Sequence, residues 1–354
     1  MFRADRRRNI SFFRELFTKV VYLKIYYEKD ANLDVLKGKT IAVIGYGIQG
    51  AAQAQCLKDS GLTVVVGARP NGNSWKKAKA DGMNVADIDD AAKQADIICL
   101  LTPDMTQKDI YYKSVQKNLS KGKVLYFSHG LNITYGLIHP PKDVDVIMVA
   151  PKGPGSKLRE AYVQGFGIPA LFAVHNDASG KARDIALALS KAMHFTKAGV
   201  FECTFDQETI EDLFGEQAVL CGGCAELVKA GFETLVEDGF PPEMAYFEVL
   251  HELKLIVDLI QAGGMEFMWS RVSETARYGG RTRGKRIIDA HVKANMKIVL
   301  QEIKDGTFAS EWINEYNAGM PKFERMRAME SQHEIEIVGK KIRDMFDLTG
   351  TKKK

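Results

Sequence analysis

The segment Ala42-Val43-Ile44-Gly45-Tyr46-Gly47-Ile48-Gln49-Gly50 constrains the fold of this 354-residue chain more than any other. An apolar, β-branched run enters a G-x-G-x-x-G turn, and a helical pattern over 50–60 leaves it. A lone glycine triplet says little, but one placed between a buried strand and a helix marks a phosphate-binding turn. Gly45 permits the tight turn, Gly47 lets a ligand approach the backbone, and Gly50 lets helix and strand pack closely. The N–H groups at the helix start and the helix dipole both favour a negatively charged group there. The turn, with Tyr46, Ile48 and Gln49 between its glycines, is therefore expected to hold the pyrophosphate of a nicotinamide dinucleotide, which makes the chain an oxidoreductase.

Further apolar runs at 40–44, 63–66, 96–101, 124–128 and 144–149 are rich in Val and Ile and lack polar alternation. Strands buried on both faces of a parallel sheet have this pattern. Helical patterns at 50–60 and 75–81 lie between them, and a unit at 171–175 with a helix at 179–193 follows. The expectation is a Rossmann-like α/β domain over 23–199, doubly wound around a mostly parallel sheet. Beyond Gly199 helical periodicities dominate, at 207–237, 242–262 and 285–304, and predict an all-helical domain over 200–346. Residues 1–22 are expected to be a disordered or loosely docked extension: Arg3, Arg6, Arg7, Arg8 and Arg14 stand beside Asp5 and Glu15, with no apolar h-region of the kind secretion needs. Residues 347–354 are expected to be a solvated tail.

Composition excludes other classes. A net charge of +4 over this length provides no dense basic face for nucleic acid. No apolar run approaches the roughly 20 residues that cross a bilayer. Five irregularly spaced cysteines suggest reduced thiols and a cytoplasmic protein.

The second strand bears on which dinucleotide is held. A site for NAD places an acid about 20 residues after the first glycine. Here Thr63-Val64-Val65-Val66-Gly67 leads into Ala68-Arg69-Pro70-Asn71-Gly72-Asn73-Ser74, without an acid. Arg69 and Ser74 offer a cation and a hydroxyl to a 2′-phosphate, so NADPH is expected, with NADH as the alternative. Chemistry in such sheets sits past the carboxyl ends of the strands. Two of those ends carry His129, in Ser128-His129-Gly130-Leu131-Asn132, and Lys152, in Ala150-Pro151-Lys152-Gly153-Pro154-Gly155. In the helical half, Asp212 and Glu216 are four apart, as are Glu248 and Glu252. Spacing of four puts both members on one helix face, where like charges repel. A cation removes the conflict, and an all-oxygen set suits Mg²⁺. Cys221-Gly222-Gly223-Cys224 is read as packing, His251-Glu252 lacks the second histidine of a zinc site because Leu stands at 255, and the basic run 277–286 is read as a solvated or inter-subunit loop.

Together these motifs resemble the ketol-acid reductoisomerases (acetohydroxy-acid isomeroreductases) of the short form. The resemblance runs from about residue 23 to 346. It rests on Gly45–Gly50, His129-Gly130-x-Asn132, Met148-Val149-Ala150-Pro151-Lys152-Gly153-Pro154-Gly155, Asp212-Leu213-Phe214-Gly215-Glu216-Gln217 and Phe247-Glu248-x-x-x-Glu252-Leu253-Lys254. It implies that two Mg²⁺ assist migration of an alkyl group in 2-acetolactate or 2-aceto-2-hydroxybutyrate, and that NADPH reduces the resulting ketone to a 2,3-dihydroxy acid in valine and isoleucine biosynthesis. Asp212 then bridges the ions, Glu216 and Glu248 ligate one each, and Glu252 binds metal or substrate or acts through water. His129 and Lys152 stand beside the reacting atoms, Gly155 belongs to the cofactor site, and Ser273 holds the substrate carboxylate. A knotted helical domain and a site completed across a dimer or higher homo-oligomer are also implied. Ile48 and Ala51 depart from the Ser and His usual in the turn, Ser156 stands where His commonly follows Gly155, and Gly72 and Asn73 occupy positions where a further Ser is common. Two rival readings stay open: a metal-free NADP-dependent β-hydroxyacid dehydrogenase, and a non-catalytic dinucleotide sensor.

Overall fold

The computed structural model describes residues 24–345. The expectations for residues 1–22 and 347–354 fall outside the described residues. Contacts divide the chain into two compact units, Met1–Thr209 and Ile210–Lys354.

The first unit is built on a nine-stranded sheet. Its strands are β1 (Ile25–Tyr26), β2 (Thr40–Ile44), β3 (Thr63–Gly67), β4 (Asn84–Ala86), β5 (Ile97–Leu100), β6 (Val124–Phe127), β7 (Asp145–Pro151), β8 (Ala170–Asn176) and β9 (Val200–Cys203), in the order β1-β9-β8-β7-β6-β5-β2-β3-β4. From β7 through β4 every neighbour is parallel, whereas β8 runs antiparallel to β7 and β1 antiparallel to β9. The unbroken apolar runs have a direct physical outcome. Alternate residues feed two separate cores, with Ile41, Val43, Ile97, Cys99, Val124 and Tyr126 on one face. Ala42, Ile44, Ile98, Leu100, Leu125 and Phe127 lie on the other. Strand order reverses at β2, which pairs with β5 on one side and β3 on the other. A crevice at such a switch point is where open α/β sheets take their ligands.

Residues 200–203, expected to open the helical half, instead form β9, parallel to β8. Their pattern of one buried and three more accessible residues carries no strong strand signal, and pairing with β8 decides the outcome. This keeps 200–209 with the first unit, so the division between units falls within the helix Phe205–Gly215.

The second unit is all helix among the described residues, and its core gathers Phe232, Ala245, Tyr246, Ile335, Val338 and Ile342. Three expectations are corrected here. The stretch 285–304 is not one helix, because Asp289 accepts from the N–H groups of His291 and Val292 and so caps a new helix, Ala290–Lys304. The basic run 277–286 is not a loop but lies in the helix Glu274–Ile287, which Ser273 caps. The helix expected over 242–262 is interrupted by a π turn and runs on through Glu252–Arg271, with non-helical backbone at Gly264 (φ +83°). No helix among the described residues is long and apolar enough to cross a membrane.

Candidate active site

The turn after β2 has the geometry its sequence implies. Gly45 sits at φ +99°, and a Cβ there would lie 2.8 Å from the Thr102 side chain and 2.9 Å from the Leu101 carbonyl. A Cβ on Gly50 would fall on the Gly45 carbonyl oxygen, whereas one on Gly47 would meet nothing within 4 Å. Gly47 thus faces open space, as a backbone approached by phosphate must. The helix Ile48–Asp59 begins directly after Gly47 and no side chain caps it, so its first N–H groups stay available to an anion. Tyr46 points inward: its hydroxyl donates to Asp81 at 3.1 Å and accepts from Gln55 at 2.9 Å. Burial pushes that phenol up to about 12. Ile48 is 74% exposed. A Cβ on Gly155 would fall on the Ile48 carbonyl oxygen, so the glycine lets the helix Gly155–Val163 sit against the turn.

The end of β3 delivers Arg69, exposed, and Ser74, in the first turn of the helix Asn73–Ala80, with no carboxylate between them. Gly72 caps that helix without a side chain.

His129 and Lys152, at the ends of β6 and β7, meet at a residue that sequence reasoning missed. Glu208 has a side chain only 1% exposed. His129 Nδ1 lies 3.2 Å from Glu208 Oε2, Lys152 Nζ lies 3.6 Å from Oε1, and the Gly130 N–H donates to Oε2 at 3.1 Å. A buried carboxylate must be compensated in this way. The compensation also fixes the imidazole ring and draws the ammonium group toward it. A Cβ on Gly130 would fall on Thr209 Oγ1, so only glycine admits the helix carrying Glu208 this close to the His129 loop. Asn132 is fully buried and structural: its amide donates to the Asp104 carbonyl and to Gln107 Oε1.

Asp212 lies one turn beyond Glu208 on the same helix and is half-buried. Glu216 opens a π turn, Glu216–Leu220, and Glu248 lies in a second, Phe247–His251, with Glu252 following directly; all three glutamates are exposed. Each acidic pair therefore straddles or abuts a π turn. Such bulges are rare inside helices and recur at functional sites. Ser273 Oγ accepts from the Ala276 N–H at 3.1 Å, which leaves its O–H as a donor.

Comparison with known proteins shows the family to which the chain belongs. Residues 35–199 match the family profile described as acetohydroxy acid isomeroreductase, NADPH-binding domain. Residues 205–348 match the one described as ketol-acid reductoisomerase, C-terminal domain. The ketol-acid reductoisomerase (NADP(+)) of Methanocaldococcus jannaschii is 55% identical over 326 residues, covering 92% of this chain and 99% of the relative. The ketol-acid reductoisomerase (NAD(+)) of an uncultured archaeon is 53% identical over 329 residues, covering 92% and 99%. A solved structure of an NADH-preferring ketol-acid reductoisomerase from an uncultured archaeon superposes with a TM-score of 0.90 at 52% identity, covering 92% of this chain and all of that one. The chain belongs to the ketol-acid reductoisomerase family: it is an oxidoreductase that uses a nicotinamide cofactor and carries out the isomerising and reducing step of branched-chain amino acid biosynthesis.

Proposed function

We propose that the chain converts 2-acetolactate and 2-aceto-2-hydroxybutyrate to 2,3-dihydroxy-3-methyl acids, with NADPH as reductant and Mg²⁺ at the helical carboxylates. The observation that carries this reading is the pair of acidic clusters, Asp212 with Glu216 and Glu248 with Glu252, in a chain that also holds a dinucleotide turn. A dehydrogenase acting by hydride transfer alone has no use for those carboxylates. The donor set is all oxygen and largely exposed, which fits a hard, hydrated cation. Asp212, Glu216, Glu248 and Glu252 would hold it, and it would supply Lewis-acid polarisation of the substrate oxygens.

The remaining work falls to the chain's own side chains. Ser273 donates its O–H to the substrate carboxylate while its oxygen stays bound to the Ala276 N–H. Lys152 and His129, held by Glu208, present cationic or proton-carrying groups where the substrate oxygens change charge. Glu252 relays a proton directly or through water. The uncapped helix at Ile48 and the turn glycines hold the pyrophosphate.

NADPH is favoured over NADH by Arg69, which stands where an NAD site needs an acid. The relatives include both NADP and NAD forms, so family membership leaves the choice open and the preference rests on Arg69 alone. Arg69→Ala is expected to weaken NADPH binding by about 1–3 kcal/mol, the scale of a charge-assisted hydrogen bond, with little change for NADH. Fluorescence titration with both dinucleotides checks this, and an unchanged ratio removes Arg69 from the site. Exposed apolar side chains on the second unit, among them Leu220, Met265 and Tyr278, favour self-association as a dimer or higher oligomer. A monomer in sedimentation at assay concentration contradicts that part of the reading.

A further inference from the structure

Gln53 lies in the second turn of the helix Ile48–Asp59 and is only 1% exposed. A buried primary amide needs partners for its carbonyl and its protons. The Tyr126 hydroxyl donates to Gln53 Oε1 at 2.7 Å, and Gln53 Nε2 donates to Ser128 Oγ at 2.8 Å and toward Gln49 Oε1 at 3.4 Å. From there the bonds continue outward. The Ser128 hydroxyl donates to the Val149 carbonyl at 3.0 Å, and Gln49 Nε2 donates to the Gly153 carbonyl at 3.0 Å. The Tyr126 oxygen also lies 3.2 Å from both Ser128 Oγ and the Val149 carbonyl. One arrangement of protons satisfies the whole set, with Tyr126 giving to Gln53, Gln53 to Ser128 and Gln49, Ser128 to Val149, and Gln49 to Gly153. Burial pushes the Tyr126 phenol far above its ordinary range, so it remains a donor.

This set of bonds joins three places that matter to the reaction. Ser128 is the residue before His129 and Gly153 the residue after Lys152. The helix carrying Gln49 and Gln53 is the one whose first turn receives the pyrophosphate. Backbone contact at the same place reinforces the link, since Gly155 rests on the Ile48 carbonyl.

We propose that Gln53 is a positioning residue for the isomerising and reducing reaction. Through Ser128 and Gln49 it ties the dinucleotide-holding helix to the backbone beside His129 and Lys152, so that the two groups and the cofactor keep one geometry. The proposal rests on the reading of His129 and Lys152 as reaction-site residues. Misplacement of reacting groups by about 1 Å can cost on the order of 100-fold in rate.

The test is a double-mutant cycle under saturating NADPH and Mg²⁺ with 2-acetolactate. Gln53→Met keeps the volume and removes the bonds, and Ser128→Ala removes the next link. Each is expected to lower kcat by about 10- to 100-fold, while the NADPH dissociation constant moves by less than about threefold, as fits a link that leaves the pyrophosphate site itself intact. The double variant should be no slower than the slower single, because one link is cut twice. An unchanged kcat in the single variants, or losses that multiply in the double, overturns the proposal. If Gln53→Met does not fold, Ser128→Ala alone decides, and an unchanged kcat there overturns it. His129→Ala and Lys152→Ala run beside these. Wild-type kcat in both would show that the site reading fails, whereas a fall in those two with none in the Gln53 and Ser128 variants would reject Gln53 alone.

Discussion

Replacing Glu248 by Gln is expected to lower turnover of 2-acetolactate by at least about 1,000-fold, equivalent to about 4 kcal/mol of transition-state stabilisation. Glutamine keeps the size and hydrogen-bonding reach of the side chain and removes its charge, which is what a divalent cation needs. Glu248 is exposed in the π turn Phe247–His251, so its replacement should change folding stability by no more than about 0.5 kcal/mol. NADPH binding should persist, because the turn at Gly45–Gly50 belongs to the other compact unit. Steady-state rates with a Mg²⁺ titration, a thermal melt and an NADPH titration separate the possibilities. Parallel loss of dinucleotide affinity and melting temperature would mean that Glu248 supports the fold and not the metal.

Glu208→Gln is the second large effect expected, and it differs in kind. Here the carboxylate is buried and compensated by His129, Lys152 and the Gly130 N–H. Removing one member of a buried ionic cluster costs about 3–5 kcal/mol when the others are fully buried. His129 and Lys152 retain side-chain exposures of 17% and 29%, so water reduces the cost to roughly 1–3 kcal/mol of stability. Turnover should fall by about 100- to 1,000-fold, since the groups it holds are then free to swing, and the change should appear in kcat more than in the NADPH dissociation constant. Glu208→Asp, which keeps the charge and shortens the arm, should recover part of the loss. A Glu208→Gln enzyme with near wild-type kcat would reduce the cluster to a packing device.

These two residues also differ in how far the sequence alone exposes them. Glu248 stood out as a candidate because two acids four apart in an apolar helical stretch are a local anomaly. The turn Gly45–Gly50 was legible for a similar reason, since the strand before it and the helix after it are local patterns and the glycines mark where the backbone is crowded or approached. Glu208 was not legible. It stands near Asp206 and Glu211 in the first turns of a helix, where acids are ordinary partners of the helix dipole. Its burial is created by His129 and Lys152, 79 and 56 positions away in the chain. The π turns at Glu216–Leu220 and Phe247–His251 were hidden as well, because a single inserted residue shifts the phase of an apolar pattern without ending it. β9 and β4 were missed because short strands with accessible residues are decided by what they pair with. The Gln53 network joins residues 53, 126, 128 and 149, which only the sheet order brings together.

In the proposed reading a dinucleotide turn and two acidic helical clusters serve one metal-dependent isomerising reductase. Its most direct test follows NADPH and NADH oxidation with 2-acetolactate, with Mg²⁺ present and after its removal by chelation, while the organic product is identified by NMR. The expected result is one equivalent of 2,3-dihydroxy-3-methylbutanoate per dinucleotide oxidised, faster turnover with NADPH, and loss of all turnover on chelation that is restored by Mg²⁺. Undiminished oxidation of either dinucleotide in chelator, or a product whose methyl group has not migrated, would contradict it.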